Sequence, residues 1–400
     1  MGEFSMNEKN DLCGCKISFD DKRLIEVVEC IGSGSSANAY VCNIWLKEKS
    51  NDKLISRALL KEFFPKNLQA GELIRDEKNK YIIKYPSTEK DTFKNLFFSY
   101  VNKTRYLRDL INGIVLEDES IKKYIVKIPE ESDCIFKFDD PAGTYIGLQL
   151  FPFDSMDTSK KIQELTIVQR LEALEKLCLV VDKFHQKHIL FADLKPENFL
   201  FIDDGITITL KLFDFDAILK LDEKNRYIRN KELESKGTPF FSSLQVCKYL
   251  SPNTTTLDSD VYSIGAILYY FVCFEIFDEV FPFKTTFEDA DLTKVKEKLS
   301  SDLYNKLIKK TYDEHLSIGF WNKFVLMVNT SMHSNHKQRY NRLSPESPMK
   351  QMYKELTILK SIYQSNGIHP EVMIDNSIKK SKVYSQTEID PQLFTNITIE

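Results

Sequence analysis

The sequence predicts an α+β protein with two lobes, a strand-rich first lobe followed by a helix-rich second lobe. From Leu24 to Leu60 the chain consists of short strand-like runs, whereas after Pro152 it carries long helical patterns. The 400 residues, 42% of them hydrophobic, are enough for a large core. We expect these parts: a flexible N-terminus over 1–22, a first lobe over 23–150, a second lobe over 151–365 and a tail over 366–400.

The elements of the first lobe follow from local patterns. Strand residues on both sides of a Gly- and Ser-rich turn predict a hairpin, a third strand ends at Pro65, and apolar residues at helical spacing predict one helix. A strand pair flanks a turn that contains Gly143. The predicted ranges are strands 25–28, 39–42, 57–64, 135–138 and 145–151, with a helix over 93–111.

The second lobe is predicted to be mainly helical. The first helix carries leucines on one side, and later segments repeat that pattern. The predicted helices span 165–185, 260–274, 299–312, 318–328 and 349–363. The residues from Asn366 onward are polar and irregular.

Composition excludes several classes of protein. The formal net charge of −4 argues against a nucleic-acid partner. The longest apolar run, Ile264 to Phe274, has about half the length that a bilayer span requires, so we expect no membrane span. The eight cysteines contain no CxxC pair, which predicts reduced thiols in a cytoplasmic protein. His333 and His336 have no third partner in the sequence, so we interpret them as surface residues.

Four polar residues between apolar runs indicate phosphoryl-transfer chemistry. Asp193, Lys195 and Asn198 follow the run that ends at Phe191, and Asp214 follows the apolar run Leu210 to Phe213. One carboxylate can orient a hydroxyl, a cation can screen the moving phosphoryl group, and an amide and a carboxylate can hold Mg²⁺. A polar loop between two buried strands does not explain why these residue types occur at these offsets.

Two weaker signals precede this segment. The turn with Gly32 and Gly34 could let backbone N–H groups approach phosphates, although Ala37 replaces a third glycine and such turns are common between strands. Lys61 lies on a strand one hairpin later, where it could bind phosphates. Taken alone, it could equally be an ordinary exposed lysine.

Together, these residues resemble the eukaryotic-like Ser/Thr protein kinase family, in order, from Ile31 to Arg339. The resemblance implies ATP and Mg²⁺ as cofactors and a protein as substrate. It implies that Asp193 accepts the proton of the substrate hydroxyl and that Lys195 steadies the γ-phosphoryl group. It assigns the metal to Asn198 and Asp214.

The resemblance also implies a nucleotide site in the first lobe. Its elements are a phosphate-covering loop, a phosphate-binding lysine, a gatekeeper at Leu148 and a hinge over 149–151 that meets adenine. The residues it assigns to nucleotide binding are Ile31, Gly32, Gly34, Ala39, Lys61, Leu148, Gln149, Phe151, Asn198 and Asp214.

Lys195, followed by Pro196 and Glu197, is similar to the Ser/Thr class rather than the Tyr class, and Thr238 matches the threonine that contacts the catalytic loop there. The run from Lys61 to Pro65 is similar to a subgroup of bacterial kinases.

Several positions depart from the family pattern. Ala192 replaces the arginine that usually receives an activation-loop phosphate, so we expect that activity does not require phosphorylation of Ser235 or Thr238. Asp216 replaces the glycine of Asp-Phe-Gly. Gln245 replaces a glutamate, which would leave a neutral hydrogen bond to Arg339, and Leu59 replaces a small residue over the adenine.

The predicted helix over 93–111 contains no glutamate to pair with Lys61, so another residue pairs with the lysine or it is unpaired. The leading interpretation is an active ATP- and Mg²⁺-dependent Ser/Thr protein kinase. The alternatives are a pseudokinase that serves as a nucleotide-binding scaffold, and a small-molecule kinase of the aminoglycoside or choline type.

Overall fold

Apolar residues alternate along the first third of the chain, and in the computed structural model they form an antiparallel sheet. The structure describes residues 11–33, 37–48, 51–65, 73–84, 90–139, 144–152, 158–203, 207–227, 237–238, 241–243, 246, 255–272, 318–332, 337, 339–340 and 345–365. Within them the chain divides into two units. The first comprises residues up to Ser159 with 202–207 and 211–216, and the second comprises 160–201, 208–210 and the residues from Ala217 onward.

The sheet of the first unit has the order β1-β2-β3-β4-β8-β6-β5, and β7 pairs with β8. Neighbouring strands are antiparallel, both where a short turn joins them and where a long helix, Lys90–Glu117, lies between them in the chain. Its strands are β1 Lys16–Ser18, β2 Arg23–Ser33, β3 Ala37–Leu46, β4 Lys53–Phe63, β5 Ile74–Arg75, β6 Ile83–Lys84, β7 Cys134–Asp139 and β8 Thr144–Pro152.

The segment 11–22 corrects the expectation of a flexible N-terminus over 1–22. Strand β1 pairs with β2, with Ile17 opposite Ile25. Leu12 and Ile17 are fully buried and Phe19 is nearly so, in the core on one face of the sheet. The apolar residues among polar neighbours therefore form a short edge strand that covers the core. Residues 1–10 lie outside the described part.

Strand β4 is buried on both faces over its second half. Because side chains alternate along a strand, Ala58 and Leu60 face a core with Tyr40 and Cys42. Phe63 points to the other face, into a second core formed mainly by helix α1, Lys90–Glu117. Helix α1 extends beyond the predicted range 93–111 at both ends.

Aromatic rings fasten α1 to the sheet. The Phe63 ring lies 5.8 Å from Phe97 and 4.7 Å from Tyr100, and the rings of Phe93 and Tyr145 lie 4.4 Å apart. Gly147 of β8 makes room for this packing, because a Cβ atom there would lie 2.9 Å from the Phe63 Cβ atom. Such ring pairs add stability beyond the area that they bury.

The second unit contains the other helices, and Thr166 caps the first of them through a capping box with Gln169. Four helices over the predicted positions are present: α2 Ile167–His185, α3 Asp258–Val272, α4 Ile318–Ser331 and α5 Pro348–Gln364. The predicted helix over 299–312 and the tail over 366–400 lie outside the described residues. The remaining strands are β9 Thr158–Lys160, β10 Ile189–Leu190, β11 Phe199–Asp203, β12 Ile208–Leu212 and β13 Leu219–Lys220.

Helix α3 is the centre of the second unit, since its residues are buried almost throughout. Gly265 lets α4 approach closely, because a Cβ atom there would overlap the Ser331 side chain. Helix α5 packs on α2, where Lys360 forms an ion pair with Glu175 at 2.7 Å. This helical framework holds the loop between β10 and β11, and Ile189 of β10 pairs with Lys220 of β13. The predicted α+β fold, strand-rich and then helical, is confirmed.

Candidate active site

Three of the predicted nucleotide-site residues form one row across the sheet of the first unit. Lys61 on β4 lies opposite Ala39 on β3 and opposite Gln149 on β8. Directly paired residues of antiparallel strands point to the same face. Leu59 and Phe151 form the next pair on that face. The register thus brings Ala39, Lys61, Gln149 and Phe151 to one face of the sheet.

The predicted gatekeeper, Leu148, lies on the wrong face of the sheet. It pairs with Glu62 and is fully buried in the core that contains Leu60 and Leu150. A shift of one residue along a strand reverses the face. Gln149 therefore occupies the position beside Lys61 that the resemblance assigned to Leu148.

Lys61 has two carboxylate partners. Its Nζ atom lies 3.0 Å from Oδ1 of Asp214 and 2.7 Å from Oδ2 of Asp216. Burial alone would lower the pKa of Lys61, but the negative charges of Asp214 and Asp216 outweigh it and raise the pKa well above its usual value. Lys61 is therefore a fixed cation, and the segment 214–216 provides the partner that the sequence pattern left open.

Helix α1 presents uncharged groups to this lysine. Tyr100 is the α1 residue whose hydroxyl group lies in the electrostatic surroundings of Lys61. The side-chain amide of Gln149 donates to the Tyr100 hydroxyl and, at 3.2 Å, to the hydroxyl of Thr104. Among the described residues, the carboxylates that form ion pairs with Lys61 come from Asp214 and Asp216. In the described part of the chain, α1 therefore supplies no ion-pair partner for Lys61.

The adjacent Glu62 belongs to a separate network on the opposite face. Arg75 binds its carboxylate with two nitrogen atoms, at 2.6 and 2.9 Å, and the Tyr40 hydroxyl donates to it at 2.9 Å. Both members of this ion pair are buried. Glu62 is therefore already neutralised by Arg75, and sequence reasoning gave no sign of this pair.

The predicted phosphate-covering loop is described only in part. Ile31 and Gly32 lie near the end of strand β2, and Gly32 pairs with Ala39, which places it in the same row as Lys61. Among the described residues, apart from the chain neighbours of Gly32, no atom lies within 4 Å of the position that a Cβ atom there would occupy. The backbone there is open to a ligand, while Gly34 lies outside the described residues.

In the second unit, Asp193 is held from several directions. The Thr238 backbone N–H donates to its Oδ1 at 2.7 Å, and the Lys195 ammonium lies 3.0 Å from its Oδ2. Lys195 also donates to the Thr238 hydroxyl at 2.8 Å, which is the contact predicted between Thr238 and this loop. The Asn198 side chain donates to the Asp193 carbonyl at 2.9 Å. The four predicted loop residues thus form one network.

Asp260 shapes the loop, a role that its predicted place at a helix start did not reveal. Helix α3 begins at Asp258, and the fully buried Asp260 carboxylate accepts from the N–H groups of Phe191 at 2.9 Å and Ala192 at 3.1 Å. It also lies 2.9 Å from Nε2 of His185. Ala192 takes a φ of 66°, so these bonds hold it in a left-handed conformation that alanine rarely adopts.

The surroundings of Ala192 are apolar. It packs with Leu190, Leu219, Leu221, Tyr227 and Val246. The expectation about phosphorylation stays a prediction, because Ser235 lies outside the described residues, as does Gln245.

The other departure from the pattern concerns Arg339. Its guanidinium is buried, donates to the Asp258 carbonyl at 3.3 Å and lies 5.1 Å from the centre of the Tyr262 ring. Arg339 is thus anchored to the start of α3.

The comparisons with known proteins agree with this geometry. The family model of the protein kinase domain matches residues 138–357, which is more than half of the chain. The chain belongs to the protein kinase family. The match includes Asp193, Asn198 and Asp214, and it begins after Lys61.

The proteins that this kinase resembles include Ser/Thr kinases of yeast and plants. It is 24% identical to the serine/threonine-protein kinase PKH2 of Saccharomyces cerevisiae over 271 residues, which cover 64% of this chain and 24% of the relative. It is 24% identical to calcium-dependent protein kinase 7 of Arabidopsis thaliana over 195 residues, which cover 48% of this chain and 34% of the relative. The aligned part of the chain therefore spans about a quarter to a third of the length of these relatives. Within the described part of the chain, no helix is long and apolar enough to cross a membrane.

Proposed function

We propose that this chain is an ATP- and Mg²⁺-dependent kinase that transfers the γ-phosphoryl group to serine or threonine of a protein substrate, in the cytoplasm. The observation that carries the proposal is the arrangement around Asp193. Its two carboxylate oxygens are oriented by the Thr238 N–H group and by the Lys195 ammonium, at 2.7 and 3.0 Å. A fold-preserving scaffold does not require a carboxylate held in this way.

Asp193 is the proposed base. Oriented carboxylates accept a hydroxyl proton as it is lost in the transition state, and fixed geometry is what makes them effective. Lys195 would screen the negative charge of the moving phosphoryl group, because its ammonium lies beside the same carboxylate. Its contact with Thr238 supports the assignment to serine and threonine rather than tyrosine.

The donor atoms fit the proposed cofactors. The Asn198 amide nitrogen donates to the Asp193 carbonyl, which leaves the amide oxygen to serve as a metal ligand. Asp214 adds carboxylate oxygen, and Mg²⁺ favours a few protein oxygens together with phosphate oxygens and water. Bound Mg²⁺ would neutralise phosphate charge. Lys61 would bind the α- and β-phosphates, and the open backbone at Gly32 fits a phosphate-covering turn.

The test is a phosphoryl-transfer assay with γ-labelled ATP and Mg²⁺, on a generic protein acceptor and on the chain itself. We expect Asp193→Asn, which keeps the shape but removes the base, to lower the transfer rate by about 10²–10⁴-fold. Label on phosphoserine or phosphothreonine after acid hydrolysis would support the assignment of the acceptor.

Asp222→Asn is the matched control. The Asp222 carboxylate also accepts backbone N–H groups, from Lys224 at 2.9 Å and Arg226 at 2.8 Å, but in an exposed turn. It should transfer phosphate at the wild-type rate. Equal rates for wild type and Asp193→Asn would favour the pseudokinase alternative, and label on a small alcohol but not on protein would favour a small-molecule kinase.

A further inference from the structure

We propose that Asp216 is a positioning residue for Lys61, in place of the acidic side chain that helix α1 does not supply. The inference rests on the proposed function. It assigns a role to the residue that makes the Asp-Phe-Asp segment depart from the family pattern. The inference is argued from the contacts of Asp216, of Lys61 and of helix α1.

The first step is geometric. Asp216 approaches Lys61 more closely than Asp214 does, with 2.7 Å against 3.0 Å between the charged atoms. The Asp216 backbone N–H also donates to Oδ1 of Asp214 at 3.2 Å, which ties the two carboxylates into one turn. Asp216 is therefore a built-in part of the lysine site.

The second step assigns different roles to the two carboxylates. Asp214 is the residue proposed to hold Mg²⁺, and a bound divalent cation would neutralise much of the negative charge of its carboxylate. Its attraction for Lys61 must then weaken. Asp216 remains beside the ammonium, so it keeps the lysine directed while Asp214 serves the metal.

The third step concerns α1. Aromatic packing fixes this helix to the sheet, since the Phe63 ring lies 4.7 Å from Tyr100 and 5.8 Å from Phe97. The neutral contact between Gln149 and Tyr100 completes the attachment. Both ion pairs that Lys61 forms with described residues come from the segment 214–216, so α1 supplies neither of its carboxylate partners.

The test compares steady-state kinetics of the full chain for wild type, Asp216→Asn and Asp216→Gly, with Asp222→Asn as the control in a surface turn. If Asp216 directs Lys61, both variants should lower kcat by about tenfold to a hundredfold, because a misdirected charge stabilises the transition state poorly. KM for ATP should stay within about twofold, because the variants lose an interaction made in the transition state. Unchanged kcat in both variants, with an active wild type, would overturn the inference.

Two further measurements separate positioning from other roles. Binding of a fluorescent ADP analogue, titrated with Mg²⁺, should show the same half-saturating Mg²⁺ concentration in wild type and Asp216→Asn. A shifted Mg²⁺ dependence would make Asp216 a metal ligand and overturn the inference. The double variant Asp216→Gly with Tyr100→Glu returns a carboxylate to α1, and it should recover part of the lost kcat. A double variant that keeps the wild-type thermal transition and stays as slow as Asp216→Gly would contradict the inference.

The same series separates this inference from the proposed function. A wild-type chain that transfers no phosphate removes the proposed function, and the inference falls with it. A wild-type chain that is active and insensitive to Asp216 leaves the proposed function standing and removes only the inference.

Discussion

The loop around Asp193 and the site around Lys61 differ in how far their contacts could be predicted from the sequence. In the second unit, Asp193, Lys195, Asn198 and Thr238 contact one another, as the family resemblance implies for Thr238. In the first unit, Lys61 has the predicted place on its strand but a different partner, Asp216. A short loop fixes the geometry of its own residues. In an ion pair between distant segments, by contrast, the carboxylate can come from a different segment of the chain.

The largest change in stability that would test this comparison is expected for a substitution that affects the Asp193 loop. Asp260→Asn removes the charge of a fully buried carboxylate that accepts two backbone N–H groups, from Phe191 and Ala192. Hydrogen bonds to charged groups contribute about 1.5–3 kcal/mol each, so the free energy of unfolding should fall by roughly 3 kcal/mol. Urea denaturation measures it. Kinase turnover should fall as well, because the loop loses its shape.

Asp222→Asn serves as the control, because that carboxylate also accepts two backbone N–H groups but is only partly buried, in a turn at the surface. It should leave the urea midpoint close to that of wild type. If Asp260→Asn were as stable as Asp222→Asn, the loop would not owe its conformation to Asp260.

A smaller loss of stability should follow when the hydrogen bond between Gln149 and Tyr100 of α1 is removed. Gln149→Leu removes the hydrogen bonds to Tyr100 and Thr104 and leaves the buried Tyr100 hydroxyl without that partner. The cost should be about 1–3 kcal/mol in the free energy of unfolding.

A double-mutant cycle with Tyr100→Phe isolates this contact. The two substitutions should be non-additive by about 0.5 kcal/mol or more, because both remove the same hydrogen bond. Additive effects would mean that α1 is attached by its aromatic rings alone.

The smallest expected effect concerns regulation. Ala192 packs in an apolar cluster with Leu190 and Leu219. Ser235→Ala should therefore retain wild-type phosphoryl transfer, measured on enzyme treated with a phosphatase and on untreated enzyme. A large loss of activity in a folded Ser235→Ala variant would show that a phosphate receptor exists outside the Ala192 cluster.

Much of the fold followed from local patterns. The β7–β8 pair and helices α2, α4 and α5 lie within a few residues of their predicted bounds, because apolar periodicity and caps such as Thr166 act over short distances. The edge strand β1 escaped prediction, because three residues carry too weak a pattern. The gatekeeper was misplaced by one residue, although a glutamine within the apolar run 145–151 was a signal that the strand turns a polar side chain toward the site.

The sequence by itself determined the family chemistry: the order and spacing of Lys61, Asp193, Lys195, Asn198 and Asp214, and the division into a strand-rich and a helical part. Only the tertiary structure decided which carboxylate meets Lys61, because Asp216 lies 155 residues away along the chain. It also decided that the Asp260 carboxylate accepts the loop N–H groups of Phe191 and Ala192. Spacing governs neighbours along the chain, whereas the partners of a buried charge depend on which distant segments the fold brings within a few ångströms of it.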